Sequence, residues 1–223
     1  MSVRAAYDGW STTYDADANL TRNLDRQATA SVLGSLRCRS ILEIGCGTGK
    51  NSALLAQIGR RVTAVDFSEK MLRQAQAKIT ARHVLFLLAD VARAWPCAPN
   101  SCDLVTCNLV LEHIADLPFI FAQAERVLAA DGRLFICELH PFRQYRGAKA
   151  VFQRQGAAVE IPAFTHHLPD FFDSAAGAGL TLAQLQEWWD GDDRRQPPRL
   201  VSFLFVKESG AQSDNSIRRV GGP

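Results

Sequence analysis

The sequence lacks the features that would indicate secretion, membrane insertion or a polyanionic partner. No apolar run approaches the ~20 residues needed to cross a bilayer, and the first ten residues, MSVRAAYDGW, contain no apolar signal-peptide core. The 25 basic and 23 acidic residues leave a formal net charge of only +2, which does not favour nucleic acid. We therefore expect a cytoplasmic chain that binds neither nucleic acid nor membranes.

Paired metal or redox ligands are also missing. None of the six cysteines belongs to a C-x-x-C pair, so free thiols of a reducing compartment are expected rather than disulfides or a zinc site. The adjacent pair His166 and His167 has no third ligand at a suitable spacing. The sequence therefore predicts no bound metal.

The strongest signal is the stretch ILEIGCGTGK, residues 41–50. An apolar run ends at three alternating glycines, Gly45, Gly47 and Gly49, and a helix-competent segment follows. Glycines allow a sharp turn and close approach of a ligand, and a helix start presents unpaired N–H groups. The pattern predicts a ligand-binding turn, Cys46 included, at the carboxyl end of a strand. Glu43, an acid inside the apolar strand, needs a polar partner.

This motif carries a family resemblance. The sequence E-I-G-C-G-T-G from Glu43 to Gly49 resembles the first motif of class I S-adenosylmethionine (SAM) dependent methyltransferases, E/D-x-G-x-G-x-G. It is one residue shorter than the dinucleotide pattern G-x-G-x-x-G. The resemblance implies SAM as cofactor, S-adenosylhomocysteine (SAH) as product, and a turn that holds the amino-acid end of SAM.

Two later strands also end in acids. Asp66 closes the second predicted strand, 21 residues after Gly45, where an acid accepts hydrogen bonds from a ribose diol; a helix cap or turn acid is the alternative. By resemblance, Phe67 and Met71 flank the adenine. Asp90 closes the third predicted strand, which we expect to be buried on both faces. Its carboxylate can accept from the adenine amine, and the backbone N–H of Val91 can donate to the ring.

A fourth predicted strand, 102–107, runs into N-L-V-L-E-H-I, residues 108–114. This stretch resembles the variant found in ubiquinone-type and other small-molecule methyltransferases, in which the backbone at Asn108 and Leu109 contacts the methionine part of SAM. It is not the N/D-P-P-Y motif of enzymes that methylate adenine or glutamine amides. A small-molecule acceptor is therefore implied.

Strands alternate with helices from Ile41 to His140, which predicts an α/β, doubly wound, mostly parallel sheet. The resemblance implies a Rossmann-like sheet of seven strands that closes with a terminal antiparallel strand. One methyltransferase domain is expected over 1–208, followed by a disordered tail, 209–223.

Two segments are expected to cover the site. Residues 1–37 (the lid segment) comprise an aromatic stretch without clear periodicity and a helix over 21–36. By resemblance they fold over the cofactor. Residues 141–167 (the cap segment) leave the fifth strand and overhang the acceptor. The lid segment offers Tyr14 and Arg22 to the cofactor and Trp10 to the acceptor.

No catalytic triad is present, which suits a reaction driven by positioning. The candidate general bases are His113, His140, His166 and His167. His140 is preferred because it closes the fifth strand, whereas His113 is expected rather to pack or to lie beside the cofactor. Arg143, Tyr145 and His166 of the cap segment are candidate acceptor-binding residues. Each of these side chains has a structural or solvated alternative.

The function predicted is methyl transfer from SAM to a small molecule by a monomer or homodimer. A SAM-binding protein that does not transfer methyl groups is one alternative, and a nucleotide-dependent oxidoreductase is another. The sequence does not indicate which atom of the acceptor is methylated.

Overall fold

The computed structural model describes residues 2–154 and 157–209, and the side chains of 152–158 are not described. The helices are α1 Val3–Trp10, α2 Leu20–Leu33, α3 Ser52–Ile58, α4 Glu69–Lys78, α5 Leu117–Val127, α6 Pro141–Tyr145 and α7 Leu168–Gly177. The strands are β1 Ile41–Ile44, β2 Val62–Asp66, β3 Val84–Leu88, β4 Cys102–Asn108, β5 Leu128–Leu139, β6 Val151–Arg154, β7 Ala157–Glu160, β8 Leu180–Trp188 and β9 Leu200–Lys207. Apart from Ser209, the predicted tail 209–223 lies outside the described residues.

The main sheet has seven strands in the order β3-β2-β1-β4-β5-β9-β8. Strands β1 to β5 pair in parallel, whereas β9 is antiparallel to both β5 and β8. The predicted Rossmann-like, mostly parallel sheet with a terminal antiparallel strand is confirmed. Because the carboxyl ends of β1, β2, β3 and β4 share one edge, the residues that follow these strands meet there.

Helices cover both faces of the central strands, which explains the near-continuous apolar character of β1 and β4. One cluster of buried side chains contains Leu42, Phe121 and Ile136. The other, on the opposite face, contains Ile41 and Phe135. Alternate residues of the same strands are thus buried in two cores, one on each face of the sheet. This packing fixes the sheet edge that carries the glycine turn.

Strand β3 does not match its prediction. We expected it to be buried on both faces, but Leu85 and Leu88 are 54% and 59% exposed. The reason is its position, because β3 is the edge strand of the sheet and has a neighbour only at β2. The apolar run alone did not distinguish an edge strand from a central one.

The start of the chain is also more regular than predicted. Residues 3–10 form α1, whose first turn is capped by Ser2 Oγ accepting from Ala5 N at 3.3 Å. The helix buries Ala6 and Trp10. Two buried positions in so short a helix give little apolar periodicity in the sequence, which is why the helix was not predicted. The second helix begins near its predicted residue but ends at Leu33, before the predicted 36.

The lid and cap segments pack on each other. Strands β6 and β7 form an antiparallel hairpin, and Ile161, just beyond it, is buried with Ala6 and Trp10 of α1. Within the described residues, no helix combines the length and apolar character needed to cross a bilayer. The boundaries of the lid, core and cap as functional units stay predictions.

Matched leucine truncations test the edge position of β3. Leu42→Ala in β1 removes a side chain that is 0% exposed, so we expect the free energy of unfolding to fall by about 2–5 kcal/mol. Leu85→Ala in β3 should change it by less than about 0.5 kcal/mol. Urea unfolding measures both, and a loss above 2 kcal/mol for Leu85→Ala would contradict the exposed placement.

Candidate functional site

The turn after β1 contains three glycines with positive φ, and the first two differ in their surroundings. Gly45 has φ +66° and a Cβ there would lie 2.2 Å from Val110 Cγ2, so no side chain fits. Gly47 has φ +54°, and a Cβ there would meet no atom within 4 Å. Gly45 therefore allows close packing of the turn against the loop after β4, and Gly47 leaves open space beside the turn.

Asp66, at the end of β2, is joined to this turn. Its Oδ2 accepts from Gly47 N at 2.8 Å and its Oδ1 accepts from Ser68 N at 2.8 Å. Ser68 is the N-cap of α4, and its Oγ accepts from Met71 N at 3.2 Å. The helix is therefore capped by Ser68, and Asp66 is not its cap. Burial raises the pKa of Asp66 to about 6, against the effect of these backbone donors.

The strand ends and the lid segment enclose a cavity, here called the main cavity. Its lining contains these predicted site residues: Gly45, Gly47, Asp66, Phe67, Met71, Asp90, Val91, Asn108, Leu109, Tyr14 and His113. It also contains Val3, Tyr7 and Ile114, which the sequence analysis did not select. Val3 and Tyr7 were missed because α1 was not recognised as a helix over the site.

The main cavity continues into a second space, the inner recess, since Tyr14, Gly45 and Gly47 line both. Glu43, Cys46 and Arg22 also line the recess.

Arg22 is held rigidly at the recess. Its guanidinium lies 3.9 Å from the centre of the Tyr14 ring and donates to the carbonyl oxygens of Tyr14 and Asp17. Its Nε is buried without a hydrogen-bond partner among the described residues. A buried donor without a partner is costly, so this nitrogen is suited to an anionic ligand group in the recess.

Gly49 has a different position from the other two glycines. A Cβ there would lie 2.9 Å from Ile79 Cδ1 and 3.1 Å from Ala75 Cβ. The residue thus faces α4 and its C-terminal end. Its predicted contact with the cofactor is not supported by this placement, and close packing accounts for the glycine.

Buried acids hold the loops around both spaces. Ser52 Oγ donates to Glu43 Oε2 and is the polar partner predicted for this buried acid. Glu138 Oε1 accepts from Val110 N at 2.9 Å and from Leu111 N at 3.0 Å. Burial raises the pKa of both acids to about 8.

Asp25 of α2 was not predicted. Its Oδ1 accepts from Asn108 Nδ2 at 2.6 Å and its Oδ2 accepts from Asn51 Nδ2 at 2.8 Å. It thereby ties the helix of the lid segment to the loop after β4. In the sequence it is one charged residue of an amphipathic helix, and only the fold brings it to Asn108.

His113 is the candidate base that lies at the main cavity. Its Nδ1 is 2.9 Å from Pro162 O and its Nε2 is 2.9 Å from Tyr7 Oη. A carbonyl oxygen only accepts, so Nδ1 carries the proton and Nε2 accepts from the Tyr7 hydroxyl. Burial lowers the pKa of His113, so the imidazole is neutral near pH 7 and Nε2 is free to accept a proton.

His140, the preferred base, is not brought to the main cavity. Its Nδ1 accepts from Phe142 N at 3.1 Å as the N-cap of α6, and its Nε2 lies 3.0 Å from Glu187 Oε1 of β8. Both ring nitrogens thus serve the junction of β5, α6 and β8. The expectation that closing the fifth strand puts His140 at the chemistry is corrected by this geometry.

The predicted acceptor-binding residues separate into two groups. Trp10 and Arg143 line a third space, here called the basic chamber, which shares Tyr7, Tyr14 and Leu109 with the main cavity.

Tyr145 and His166 lie elsewhere. Tyr145 is 56% exposed and bonded to His167 Nδ1 at 2.7 Å. His166 Nε2 contacts the carbonyl oxygens of Leu111 and Ile114 at 3.1 and 2.7 Å. His166 therefore ties the cap segment to the loop after β4, and neither placement supports a contact with the acceptor.

Among the comparisons, a family model described as a methyltransferase domain matches residues 42–136. This range contains the glycine turn, Asp66, Asp90 and His113, which lie around the cavities described above. Over these residues the chain is similar to class I SAM-dependent methyltransferases. The cofactor predicted from the motif is therefore confirmed as that of the family, and the matched family is not one of nucleotide-dependent oxidoreductases.

Curated relatives match the chain over part of their own length. Malonyl-[acyl-carrier protein] O-methyltransferase of Xylella fastidiosa is 29% identical over 188 residues, 82% of this chain and 61% of the relative. The enzyme of that name from Pseudescherichia vulneris is 35% identical, over 59% and 51% of the two chains. Ubiquinone biosynthesis O-methyltransferase of Xanthomonas campestris is 31% identical, over 66% and 62%. The chain thus spans between half and two thirds of these relatives.

Solved structures of methyltransferases share the fold. A SAM-dependent methyltransferase from Mesorhizobium loti superposes with a TM-score of 0.71 at 17% identity, over 84% of this chain and 100% of its own. The N-methyltransferase NodS from Bradyrhizobium japonicum, in complex with SAH, gives 0.70 at 15% identity, over 94% and 100%. At these identities the likeness shows the fold alone, and the roles of individual residues stay predictions.

The protein should lose stability as its buried acid Glu43 ionises. Burial raises the folded pKa of Glu43 from an ordinary 4.5 to about 8, so the native state binds this proton more tightly than the unfolded state. The stabilisation is complete below pH 4.5 and is lost as the pH rises through 8. Glu43→Gln has no such acid. We therefore expect its free energy of unfolding to rise relative to that of the wild type as the pH increases from 5 to 8.

Denaturant unfolding of the ligand-free protein at several pH values measures this difference. Glu69→Gln is the matched control, since the Glu69 side chain is 64% exposed and its removal should leave the pH profile unchanged. A Glu43→Gln profile parallel to that of the wild type would contradict the buried, protonated state of Glu43.

Proposed function

We propose that the chain transfers the methyl group of SAM to an oxygen atom of a small-molecule acceptor. The observation that carries this proposal is the convergence of the glycine turn, Asp66, Asp90 and His113 on one cavity within the matched family region. The curated relatives named above are O-methyltransferases, which supports oxygen as the methylated atom.

The residues around the main cavity and inner recess suit the parts of SAM. Asp66 keeps acceptor capacity beyond its two backbone donors, so it is assigned to the ribose diol. Asp90 and the backbone N–H of Val91 are assigned to the adenine edge. Phe67 and Met71 are assigned to the adenine faces.

The amino-acid end of SAM is assigned to the inner recess. The open space beside Gly47 and the unpartnered Nε of Arg22 suit a carboxylate, as do the backbone groups of Cys46. Asn108 and Leu109 line both the recess and the main cavity, where the methionine chain would pass.

SAM supplies a methyl group already activated by its sulfonium. The residues of the chain then have to orient the acceptor, exclude water and remove one proton. We assign the proton transfer to Tyr7 and His113, which their hydrogen bond supports. As the acceptor hydroxyl gives its proton to Tyr7 Oη, the hydroxyl proton of Tyr7 moves to His113 Nε2, and Pro162 O keeps the ring oriented through Nδ1.

Asp66→Ala tests the cofactor assignment. Each hydrogen bond to a charged group contributes about 1.5–3 kcal/mol, so loss of two should weaken SAH binding by roughly 100-fold or more. Titration calorimetry with SAH measures this. Asp173→Ala is the matched control, on an exposed position of α7, and should bind as the wild type does. If folded wild-type protein did not bind SAH, the proposed function would be contradicted.

His113→Gln tests the proton transfer. We expect the rate of methyl transfer to fall by roughly 10²–10⁴, while SAH affinity changes little. The measurement is incorporation of labelled methyl from SAM into a small-molecule extract, followed by mass analysis of products. His140→Gln is the control, because His140 lies at the α6 junction, and it should keep a rate near that of the wild type. The reverse ranking of the two variants would contradict the assignment.

The same assay addresses the alternative of a SAM-binding protein without transfer. Labelled, methylated products from the wild type are the expected result. SAH binding with no labelled product from any extract would instead favour a binding function.

A further inference from the structure

The basic chamber adjoins the place where the methyl group would be presented. Tyr7, Tyr14 and Leu109 form walls of both the chamber and the main cavity. A molecule in the chamber would therefore reach the main cavity past the hydroxyl of Tyr7. Neither the glycine turn nor Asp66 lines this chamber, whereas Tyr14, Arg22 and Leu109 line both the chamber and the inner recess.

The chamber is rich in cationic side chains, because Arg22, Arg143, Lys149 and Arg199 all line it. They come from α2, from the cap segment and from the start of β9. Residues distant in the sequence thus bring positive charge to one space, although the net charge of the whole chain is only +2.

Carboxylates balance this charge only in part. Arg143 and Arg199 share one acid, since Arg143 Nη2 lies 3.5 Å from Asp190 Oδ2 and Arg199 Nε donates to Asp190 Oδ1. Lys149 Nζ pairs with Glu160 Oε2 at 3.0 Å.

Glu112 is the acid that lines the chamber itself. Its Oε2 is buried without a hydrogen-bond partner among the described residues, and burial raises its pKa to about 7. Because Arg22 is assigned to the carboxylate of SAM, the other three cations face these three acids. The chamber then carries no net charge when Glu112 is ionised and one positive charge when it is protonated.

Resting on the proposed methyl transfer, we infer that the acceptor carries an anionic group, a carboxylate or a phosphate, which the basic chamber binds. Arg143 and Arg199 present planar guanidinium groups, which suit bidentate contacts to either group. Arg143 is already oriented by Asp190 and by the carbonyl oxygens of Pro197 and Pro198, and Arg199 by Asp190 and Thr21 Oγ1. Little side-chain entropy is therefore lost on binding. The acceptor would then be aligned by its charge while its hydroxyl faces Tyr7.

The test uses the SAH-loaded full chain and three probes at constant ionic strength: succinate, inorganic phosphate and the neutral succinamide. Calorimetry should show binding of succinate or phosphate and none of succinamide. Tighter succinate binding indicates carboxylate acceptors, and tighter phosphate binding indicates phosphorylated ones. The inference is overturned when neither anion binds or when succinamide binds equally well.

Variants locate the binding. Arg143→Gln and Arg199→Gln should each lower the affinity for the anion at least tenfold. Lys149→Gln, at a more exposed residue, should lower it about threefold. Arg195→Gln is the matched control, because its side chain is 90% exposed and paired only with Asp193 among described ion pairs, and it should bind within twofold of the wild type. Equal losses in Arg195→Gln, or none in the chamber variants, would refute the site.

SAH affinity, measured first on every variant, separates the two proposals. Loss of SAH binding by the wild type removes the proposed function itself. Intact SAH binding without anion binding removes only the inference about the acceptor.

Discussion

Buried carboxylates at the carboxyl edge of the sheet are the constraint on which the site depends. Each of them accepts hydrogen bonds from a different loop, and an unsatisfied acid in this position would be costly. Asp66 holds the glycine turn, Glu138 holds the loop after β4, and Asp25 holds Asn51 and Asn108. The cavity walls are thus fixed relative to one another before any ligand binds, which is the preorganisation that a reaction governed by positioning requires.

The same acids are also titratable, so their protonation can change when a ligand binds. Burial raises the pKa of Asp66, Glu112 and Glu138 towards or beyond neutrality. Of these acids, Asp66 lines the main cavity, so a ligand that donates hydrogen bonds to it would favour its ionised form. Binding would therefore relieve part of the cost that the empty fold carries, and it couples the stability of the protein to its cofactor.

The lid and cap segments complete the site because they are tied to each other and to the core. Ile161 packs with Trp10, Phe164 N donates to Glu112 O at 2.6 Å, and Pro162 O receives the ring N–H of His113. Tyr7 therefore reaches His113 from a helix at the other end of the chain. The acceptor space is built by these peripheral segments, whereas the cofactor space is built mostly by strand ends.

The sequence by itself determined the sheet, the glycine turn and the acids that close β2 and β3, because strand and turn chemistry are local and parallel strands end at one edge. It also indicated His113 as one of four candidate bases. Only the tertiary structure decided between them, since His140 is occupied by Phe142 N and Glu187. Tyr7, Asp25 and the cations of the basic chamber belong to the site through contacts between segments far apart in the chain, and no local pattern records such contacts.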